Sequence, residues 1–431
     1  PDIQAAVSPD RGVPPALTPL LMVTFIGTVG FSIILPFLVF LVTRLGGNAL
    51  VYGALGATYS AFQLIGAPLL GRWSDRVGRR RVLLLSQLGT LTAWGLFMVA
   101  LLLPVEPVLA VESELLGAFV VTVPLLILFL ARALDGITGG NVSVANAYLA
   151  DITPDRQRSA SFGRMAVASN LGFVLGPAIG GVLGATALRE LPAVWAAIVL
   201  SVIALALIRW RLPDADPCVL EDPPPGEHTR KLMGQEQRDC YRVADGETGP
   251  WPAPVKRLLV LTFLVYLAFN FFYVGFPMRA AGPLGWSPVG LGVYFAFISV
   301  LMAAVQGFVL PWASARLPDA SLVLGGGLVL APAFVLLAGS TLAVLAIGAT
   351  ALALGNGLMW PSLQAILSRE ADGPEQGAVQ GAAGSVAAAA SIVGLVLGGA
   401  AYTALGTGIF LGAAGITGVV AALSVRWVGT G

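Results

Sequence analysis

Charged residues, cysteine and histidine are scarce in this sequence. Charged side chains make up 11% of its 431 residues, less than half of the roughly 25% found in soluble domains. The two cysteines, Cys218 and Cys240, lie in one polar segment with the lone histidine, His228. The sequence contains no phosphate-binding loop, no catalytic constellation and no cluster of metal ligands, so we expect neither an enzyme nor a metalloprotein. A net charge of +1 indicates no nucleic-acid partner.

Apolar residues, by contrast, make up 57% of the chain, which also holds 53 glycines and 29 prolines. This composition is typical of packed membrane helices. The segments long enough to cross about 30 Å of hydrocarbon lie near 17–43, 51–71, 82–104, 117–150, 160–187, 191–211, 256–279, 288–312, 321–341, 343–368, 377–404 and 406–427. The sequence therefore predicts an all-α polytopic membrane protein with twelve transmembrane helices.

A polar segment in the middle of the chain divides the spans into two sets of six. We expect an N-terminal tail (1–16), a six-helix bundle (17–211), a cytoplasmic linker (212–255) and a second six-helix bundle (256–431). With both termini in the cytoplasm, the only Lys or Arg residues on the outer side are Arg44, Arg189 and Arg279. This asymmetry predicts a multi-pass protein of the cell (inner) membrane with cytoplasmic termini.

The two halves resemble copies of one another. After a shift of 218 residues, Gly176, Gly180 and Gly181 coincide with Gly394, Gly398 and Gly399 in the fifth span of each half. Two related bundles predict pseudo-symmetry and a substrate site between them near the middle of the membrane, which opens alternately to each side.

The fourth span contains the stretch "RALDGITGGN", with a full positive and a full negative charge. On a continuous helix Arg132, Asp135, Gly139, Ser143 and Asn146 would form one polar stripe. Such a stripe is expected to face the bundle interior or a water-filled cavity, because an ion inside lipid costs roughly 2.5–3.5 kcal/mol on insertion scales. Asp135 is also the only carboxylate that we place well inside any span.

Several motifs together resemble one family. The loop between spans two and three, "GRWSDRVGRRR", resembles the G-x-x-x-D-R-x-G-R-R signature of the major facilitator superfamily, and "RALDG" resembles its fourth-helix R-x-x-Q-G motif. "GFVLGPAIGG" resembles the G-x-x-x-G-P-x-x-G-G motif of the drug:proton antiporter branch. "YLADITPDRQRSASFG" and "ILSREADGPEQGAVQG" resemble segments of bacterial tetracycline exporters. The resemblance implies the major facilitator fold, with two pseudo-symmetric six-helix bundles, and transport by alternating access.

The resemblance also suggests roles for the motif residues. The candidate gate comprises Gly71, Asp75, Arg76, Gly78, Arg79 and Arg80. Here Gly71 is expected to let another helix approach closely, and Asp75 to form a charge cluster that breaks when the halves rock. Alternatively, the arginines are only an orientation anchor.

The antiporter-motif helix has glycines at four-residue spacing and a proline that would kink it. Its motif residues are Gly172, Gly176, Pro177, Gly180 and Gly181. The glycines form a small-residue strip for tight helix packing; the resemblance adds a role for the kink as a seal against leak.

One departure from the family concerns the coupling acid. Counting back from Pro36, the position of the first-helix acid of tetracycline exporters holds Gly27 here. We therefore hypothesise that Asp135, held ionised beside Arg132, exchanges a proton with either side and so couples transport to the proton gradient. The alternative is a permanent structural ion pair.

Aromatic and amide residues in the spans are candidates for an amphipathic substrate pocket. They are Gln63, Asn146, Asn170, Asn270, Phe271, Tyr273, Tyr294, Gln306, Asn356, Trp360 and Gln364. The sequence thus favours a monomeric, proton-driven exporter of a drug-like molecule that needs no cofactor and has the lipid bilayer, protons and its substrate as partners. Two alternatives are an uptake carrier or uniporter for a small nutrient or lipid-like substrate, and a non-transporting membrane scaffold.

Overall fold

The computed structural model describes residues 16–113, 116–139, 141–153, 155–184, 186, 188–213, 251–370 and 376–428. The predicted N-terminal tail lies almost wholly outside these residues. So does most of the predicted linker, with Cys218, His228 and Cys240. The helix that follows the linker begins at Ala253, three residues before the predicted start of the second bundle.

The first half contains eight helices and a β-hairpin within the described residues. They are α1 (Leu17–Ser32), α2 (Leu35–Arg44), α3 (Ala49–Val77), α4 (Arg79–Leu102), β1 (Pro107–Ser113), β2 (Gly117–Thr122), α5 (Val123–Thr138), α6 (Asn141–Ile152), α7 (Asp155–Gly184) and α8 (Leu191–Arg211). Most of these helices are apolar around their circumference, as expected of helices that face both lipid and a packed interior.

The second half contains helices and connecting turns, and no strand within the described residues. It contains α9 (Ala253–Ala281), α10 (Pro288–Ala304), a π-helical turn (Val305–Val309), α11 (Leu310–Ser314), α12 (Asp319–Leu336), α13 (Leu342–Arg369), α14 (Gln376–Leu405), a 3₁₀ turn (Gly406–Gly408) and α15 (Ile409–Val428).

The helices confirm a polytopic membrane fold. Ten stretches of the described chain are long and apolar enough to cross a membrane, and the last of them, Gly381–Val425, includes parts of both α14 and α15. Helix α3, 29 residues long, lies between the first two stretches and is not counted among them. The arrangement is consistent with the predicted twelve spans.

Three spans differ from the continuous helices that we predicted. The first is interrupted at Ile33–Ile34, next to Pro36, which has no N–H to donate within a helix. The eighth changes to π-helical geometry at Val305–Val309, two residues before Pro311. The fourth was predicted wrongly over 117–150, because residues 117–122 form a strand and the helix is interrupted between Thr138 and Asn141.

The hairpin is hydrogen-bonded to the loop between α2 and α3. The backbone N–H of Val120 donates to the carbonyl of Gly46 (2.8 Å), and the Asn48 amide donates to the carbonyl of Leu116 (2.8 Å). At the hairpin turn Gly117 has a φ of 72°, where a side chain would be strained, and its missing Cβ would lie 2.7 Å from the Thr403 side chain of α14. The hairpin therefore joins the two halves at this end of the molecule.

We call this end the hairpin end, and the opposite end, where Arg79–Arg81, Arg209 and Arg211 lie, the basic end. Helix α3 packs on α14, and α7 packs on α10, across the two halves. At the hairpin end these contacts are made by glycines: a Cβ on Gly399 would lie 2.6 Å from the carbonyl oxygen of Ala49, and one on Gly181 would lie 2.8 Å from the Cα of Gly292. The two halves are thus held together tightly at the hairpin end.

Candidate functional site

The two charges of the fourth span form a buried ion pair. The guanidinium of Arg132 donates to the carboxylate of Asp135 over 2.9 Å, from one turn away on α5. Arg132 is 4% exposed and Asp135 is 6% exposed. The hydroxyl of Thr90, on the neighbouring α4, lies beside the same carboxylate. Each charge is therefore compensated, which is the condition for keeping ions inside a membrane protein.

Aromatic rings surround the Arg132 side chain on the other side. Its guanidinium carbon lies 5.5 Å from the ring centre of Tyr59, 5.8 Å from Trp94 and 5.8 Å from Phe97. Each distance is within the range of a cation–π interaction. Within the described residues its Nε has no hydrogen-bond partner. The guanidinium is thus held by one carboxylate and three rings, with little else to stabilise its charge.

A cavity of about 640 Å³ opens inside the first half next to this pair. Its wall runs from Trp94, in the second half of α4, and Asp135, in the last turn of α5, to Leu83 and Ile208 near the basic end. Among the described lining residues Asp135 alone has a charged side chain, and the others are apolar, aromatic, hydroxyl or amide residues. Such a wall suits an amphipathic ligand.

The predicted stripe on the fourth span reaches the cavity only in part. Asp135, Gly139 and Asn146 line it, whereas Arg132 points into the aromatic enclosure. Ser143 is exposed and is not among the lining residues. The stripe was predicted on one continuous helix, whereas the fourth span is interrupted between Thr138 and Asn141.

The first helix contributes space to the cavity rather than charge. Gly27 and Gly30 line it, and no described atom lies within 4 Å of the position that a Cβ would take on either glycine. At the position where the resemblance implied a first-helix acid, the structure thus has an open part of the cavity wall.

Sequence reasoning missed Thr90, Tyr59 and Trp94, the residues that enclose the ion pair. Their signal is weak, because one threonine and two aromatic residues in apolar spans resemble ordinary packing residues. Gln63, which was predicted, lines the cavity and donates to the Tyr59 hydroxyl over 3.2 Å.

The other predicted pocket residues are not among those that line this cavity: Asn170, Asn270, Phe271, Tyr273, Tyr294, Gln306, Asn356, Trp360 and Gln364. Two of them connect the halves, since the Asn170 amide on α7 donates to the Gln306 oxygen in the π-helical turn over 3.4 Å. Asn270 donates to the carbonyl of Tyr266 over 2.7 Å and to the Ser391 hydroxyl over 3.3 Å.

Several of these residues pack within the second half. Tyr294 donates to the Leu345 carbonyl over 2.9 Å and stacks on Phe276. Trp360 meets the Tyr266 ring edge to face, with the centroids 5.0 Å apart. Tyr266 lines the cavity and is its one contribution from the described part of the second half. Trp360 therefore contacts the cavity wall through the Tyr266 ring.

The remaining candidates make local contacts. Asn356 donates to the Met302 sulfur over 3.6 Å. Phe271 lies against Gly398 and Gly412, the backbone carbonyl of Tyr273 accepts from Tyr52, and Gln364 is half-buried.

The candidate gate between α3 and α4 is tied to α6. Arg79 is buried and forms an ion pair with Asp151 at 2.9 Å, and its guanidinium also donates to the Ser74 hydroxyl over 2.7 Å. Gly78 has a φ of 106°, so the turn between the helices requires glycine. Arg80 donates to backbone carbonyls at the end of α8. The side chains of Asp75 and Arg76 lie outside the described residues.

Gly71 does not have the predicted role in this conformation. No described atom lies within 4 Å of the place where its Cβ would be. The expected close helix approach is absent because the tight contacts between the halves lie at the hairpin end, and Gly71 lies toward the basic end of α3.

The glycine strip of α7 packs on the first span. Cβ atoms on Gly172, Gly176 and Gly180 would collide with Thr28, Ser32 and the backbone of Ile33, respectively. The Ser32 hydroxyl donates to the Gly172 carbonyl over 3.1 Å. Gly181 points instead to Gly292 of the second half, and the Pro177 carbonyl lies beside the same glycine.

Comparison with known proteins gives a consistent family. The model of the Major Facilitator Superfamily matches residues 20–317 and 258–430. The class C tetracycline resistance protein of Escherichia coli is 31% identical over 394 residues, covering 90% of each chain. The class D protein of Salmonella ordonez is 29% identical, covering 88% of this chain and 87% of that protein.

Solved structures show the same fold at lower sequence identity. The human organic anion transporter MFSD10 (TETRAN) superposes with a TM-score of 0.66 at 22% identity, covering 95% of this chain and 99% of its own. A POT family transporter in complex with 5-aminolevulinic acid has a TM-score of 0.73 at 16% identity, covering 97% of both chains.

Proposed function

Because the chain belongs to the major facilitator superfamily, we propose that it exports an amphipathic small molecule in exchange for protons. It is an integral multi-pass membrane transporter rather than an enzyme, so the scaffold alternative is set aside. The observation that carries the proposal is the position of Asp135. It is the one charged side chain among the lining residues that the structure describes, and it is paired with a cation, Arg132, that lies behind the wall.

The ion pair supports a proton-dependent switch. With Asp135 ionised, its carboxylate holds the Arg132 guanidinium and faces the Thr90 hydroxyl of α4. When the carboxyl is protonated, the guanidinium keeps only its aromatic neighbours, and breaking a buried pair on one side costs roughly 3–5 kcal/mol. A conformational change that rehydrates Arg132 would relieve this cost, so each protonation state favours a different orientation of the halves.

The substrate would enter the same cavity. Tetracycline is the first compound to test, because relatives of this chain are named tetracycline resistance proteins. The aromatic residues Phe31, Phe173 and Tyr266 would contact apolar rings, and Gln63 and Asn146 would bind polar substituents.

The proposal includes a topology. The basic end would face the cytoplasm in the inner membrane, with both termini on that side, because arginines are concentrated there. The closed hairpin end would then face outward, and the cavity would receive substrate from the inside. The transporter would work as a monomer, without a cofactor, driven by the proton gradient.

Transport by purified protein in liposomes with an imposed pH gradient tests this function. We expect the Asp135→Asn variant to lower gradient-driven accumulation of tetracycline, or of another amphipathic compound from a panel, to the level of protein-free liposomes. Asparagine retains the shape of the side chain and cannot carry a proton.

The matched control is Glu190→Gln, which removes an acid paired with Arg44 over 2.9 Å at the hairpin end, away from the cavity. This variant is expected to accumulate substrate as the wild type does. Accumulation that survives in Asp135→Asn would exclude the coupling and favour the second candidate. That candidate is an uptake carrier or uniporter. In such a protein the buried ion pair of Arg132 and Asp135 would be purely structural.

A further inference from the structure

Three arginines form a cleft at the basic end, outside the transport cavity. Arg80 and Arg81 come from the first turn of α4, Arg209 comes from the last turn of α8, and Leu84 forms an apolar side of the cleft. The cleft has a volume of about 180 Å³. It therefore combines concentrated positive charge with an apolar wall.

The arginines differ in how they are held. Arg80 bonds the carbonyls of Ile208 and Arg209, which fixes α8 to α4 and forms the base of the cleft. Arg81 and Arg209 are exposed, and within the described chain neither side chain forms an ion pair or a hydrogen bond. Two cations thus remain close together without a described counter-ion, an arrangement that favours an anionic ligand.

Helix length places the cleft at the surface of the bilayer. Helix α4 has 24 residues and so spans roughly 36 Å at 1.5 Å per residue, a little more than the ~30 Å hydrocarbon core. Its first turn must therefore lie at the level of the lipid head groups. Trp210, between Arg209 and Arg211, is 77% exposed, and tryptophan is enriched at this level of membranes.

We propose that this cleft binds the phosphate head group of an anionic phospholipid. Arg81 and Arg209 contact the phosphate from α4 and α8, and Leu84 and Trp210 contact the first acyl carbons. Basic pockets between transmembrane helices have the charge and position for such head groups. The site is separate from the transport cavity, and its occupant holds α4 and α8 together.

Quenching of Trp210 by brominated lipid tests the proposal on the full-length protein. In liposomes that contain a small fraction of brominated phosphatidylglycerol, we expect saturable quenching that is stronger than with brominated phosphatidylcholine. The stronger quenching by brominated phosphatidylglycerol must disappear in the Trp210→Phe variant. This result assigns the quenching to Trp210 among the nine tryptophans.

The Arg81→Gln/Arg209→Gln variant is expected to weaken the apparent affinity for phosphatidylglycerol roughly 10- to 30-fold, as the loss of two charges near the surface implies. The matched control is Lys256→Gln/Arg257→Gln, which removes two exposed cations from the start of α9 and should leave the quenching unchanged. Circular dichroism and the melting temperature verify that each variant is folded.

Three results would overturn the proposal. Equal quenching by the two brominated lipids would show no preference for an anionic head group. Equal losses in the two double variants would show attraction to net charge rather than to the cleft. Removal of the quenching by millimolar inorganic phosphate would indicate a site for the free anion instead of a lipid.

Discussion

At the scale of single residues, the feature on which the proposed function depends is the buried ion pair in α5. Arg132 and Asp135 are one helical turn apart, so their contact follows from local geometry. Their burial and their aromatic and hydroxyl neighbours come from α3 and α4. Removing either partner alone is therefore costly to stability, because the other charge is then left buried without compensation.

A double-mutant cycle measures how far the stability contributed by each of the two side chains depends on the other. We expect Arg132→Met to destabilise the protein by roughly 3–5 kcal/mol, since it leaves the Asp135 carboxylate buried without its cation. Adding Asp135→Asn should recover most of the loss, because the amide is neutral and needs no cation beside it. Apparent melting temperatures in detergent give the comparison. Losses that simply add in the double variant would mean that the two side chains do not depend on each other.

At the scale of elements, glycines let helix backbones pack directly against each other, and these contacts determine how the helices fit together. The strip on α7 brings its backbone against α1, and Ser32 uses the approach to bond the Gly172 carbonyl. In lipid there is little hydrophobic driving force between helices, so such close contacts and hydrogen bonds are the main source of association.

The Gly176→Ala variant tests the strip. Its added methyl group would collide with the Ser32 hydroxyl and lie 3.0 Å from the Val29 carbonyl, so we expect destabilisation of roughly 1–3 kcal/mol. Gly163→Ala is the matched control on the same helix, because no described atom lies within 4 Å of its Cβ position. A thermal-shift assay that found equal effects would contradict the strip's role in packing.

The hairpin gives a second prediction at this scale. Asn48 accepts from the Val51 N–H as the cap of α3 and donates to the Leu116 carbonyl of the hairpin turn. Asn48→Asp keeps the cap but removes the donor, so hydrogen exchange in 107–122 should become faster while α3 stays protected. Asn48→Ala should expose both elements, at a cost of about 1 kcal/mol for the cap alone. Unchanged exchange in Asn48→Asp would show that this bond does not hold the hairpin.

At the scale of the whole molecule, the distribution of contacts defines a conformational state. At the hairpin end the halves meet where Gly399 of α14 contacts α3 and where Gly181 of α7 contacts α10. The cavity reaches toward the basic end. This asymmetry is what alternating access requires of one of its two states.

Breaking one of these contacts should shift the population of states. We expect Gly399→Leu to separate α14 from Ala49 and so to admit a membrane-impermeant maleimide from the hairpin end to a cysteine introduced at Gly27, in a background with Cys218 and Cys240 replaced by serine. Gly384→Leu, on the same helix with open space around it, should leave the labelling rate at its original level. No increase in Gly399→Leu would mean that this contact does not close the hairpin end.

The order and class of elements could be predicted well from the sequence. Long apolar segments must become helices in a membrane, since every backbone N–H and C=O must be bonded within its own segment. The wrong assignment of 117–122 falls where that rule does not apply. Residues 117–122 are apolar, but they lie beyond the helix at the hairpin end and pair with a strand instead.

The sequence by itself determined a membrane protein of helices with one ion pair in its fourth span, because composition and helix periodicity are local properties. Only the tertiary structure decided that Asp135 lines a cavity while Arg132 lies behind it, and that Thr90, Tyr59 and Trp94 enclose the pair. Those neighbours lie dozens of residues away in the chain, and their contacts depend on how α3, α4 and α5 pack. Helix packing is a property of the whole bundle, so no single segment of sequence could have specified it.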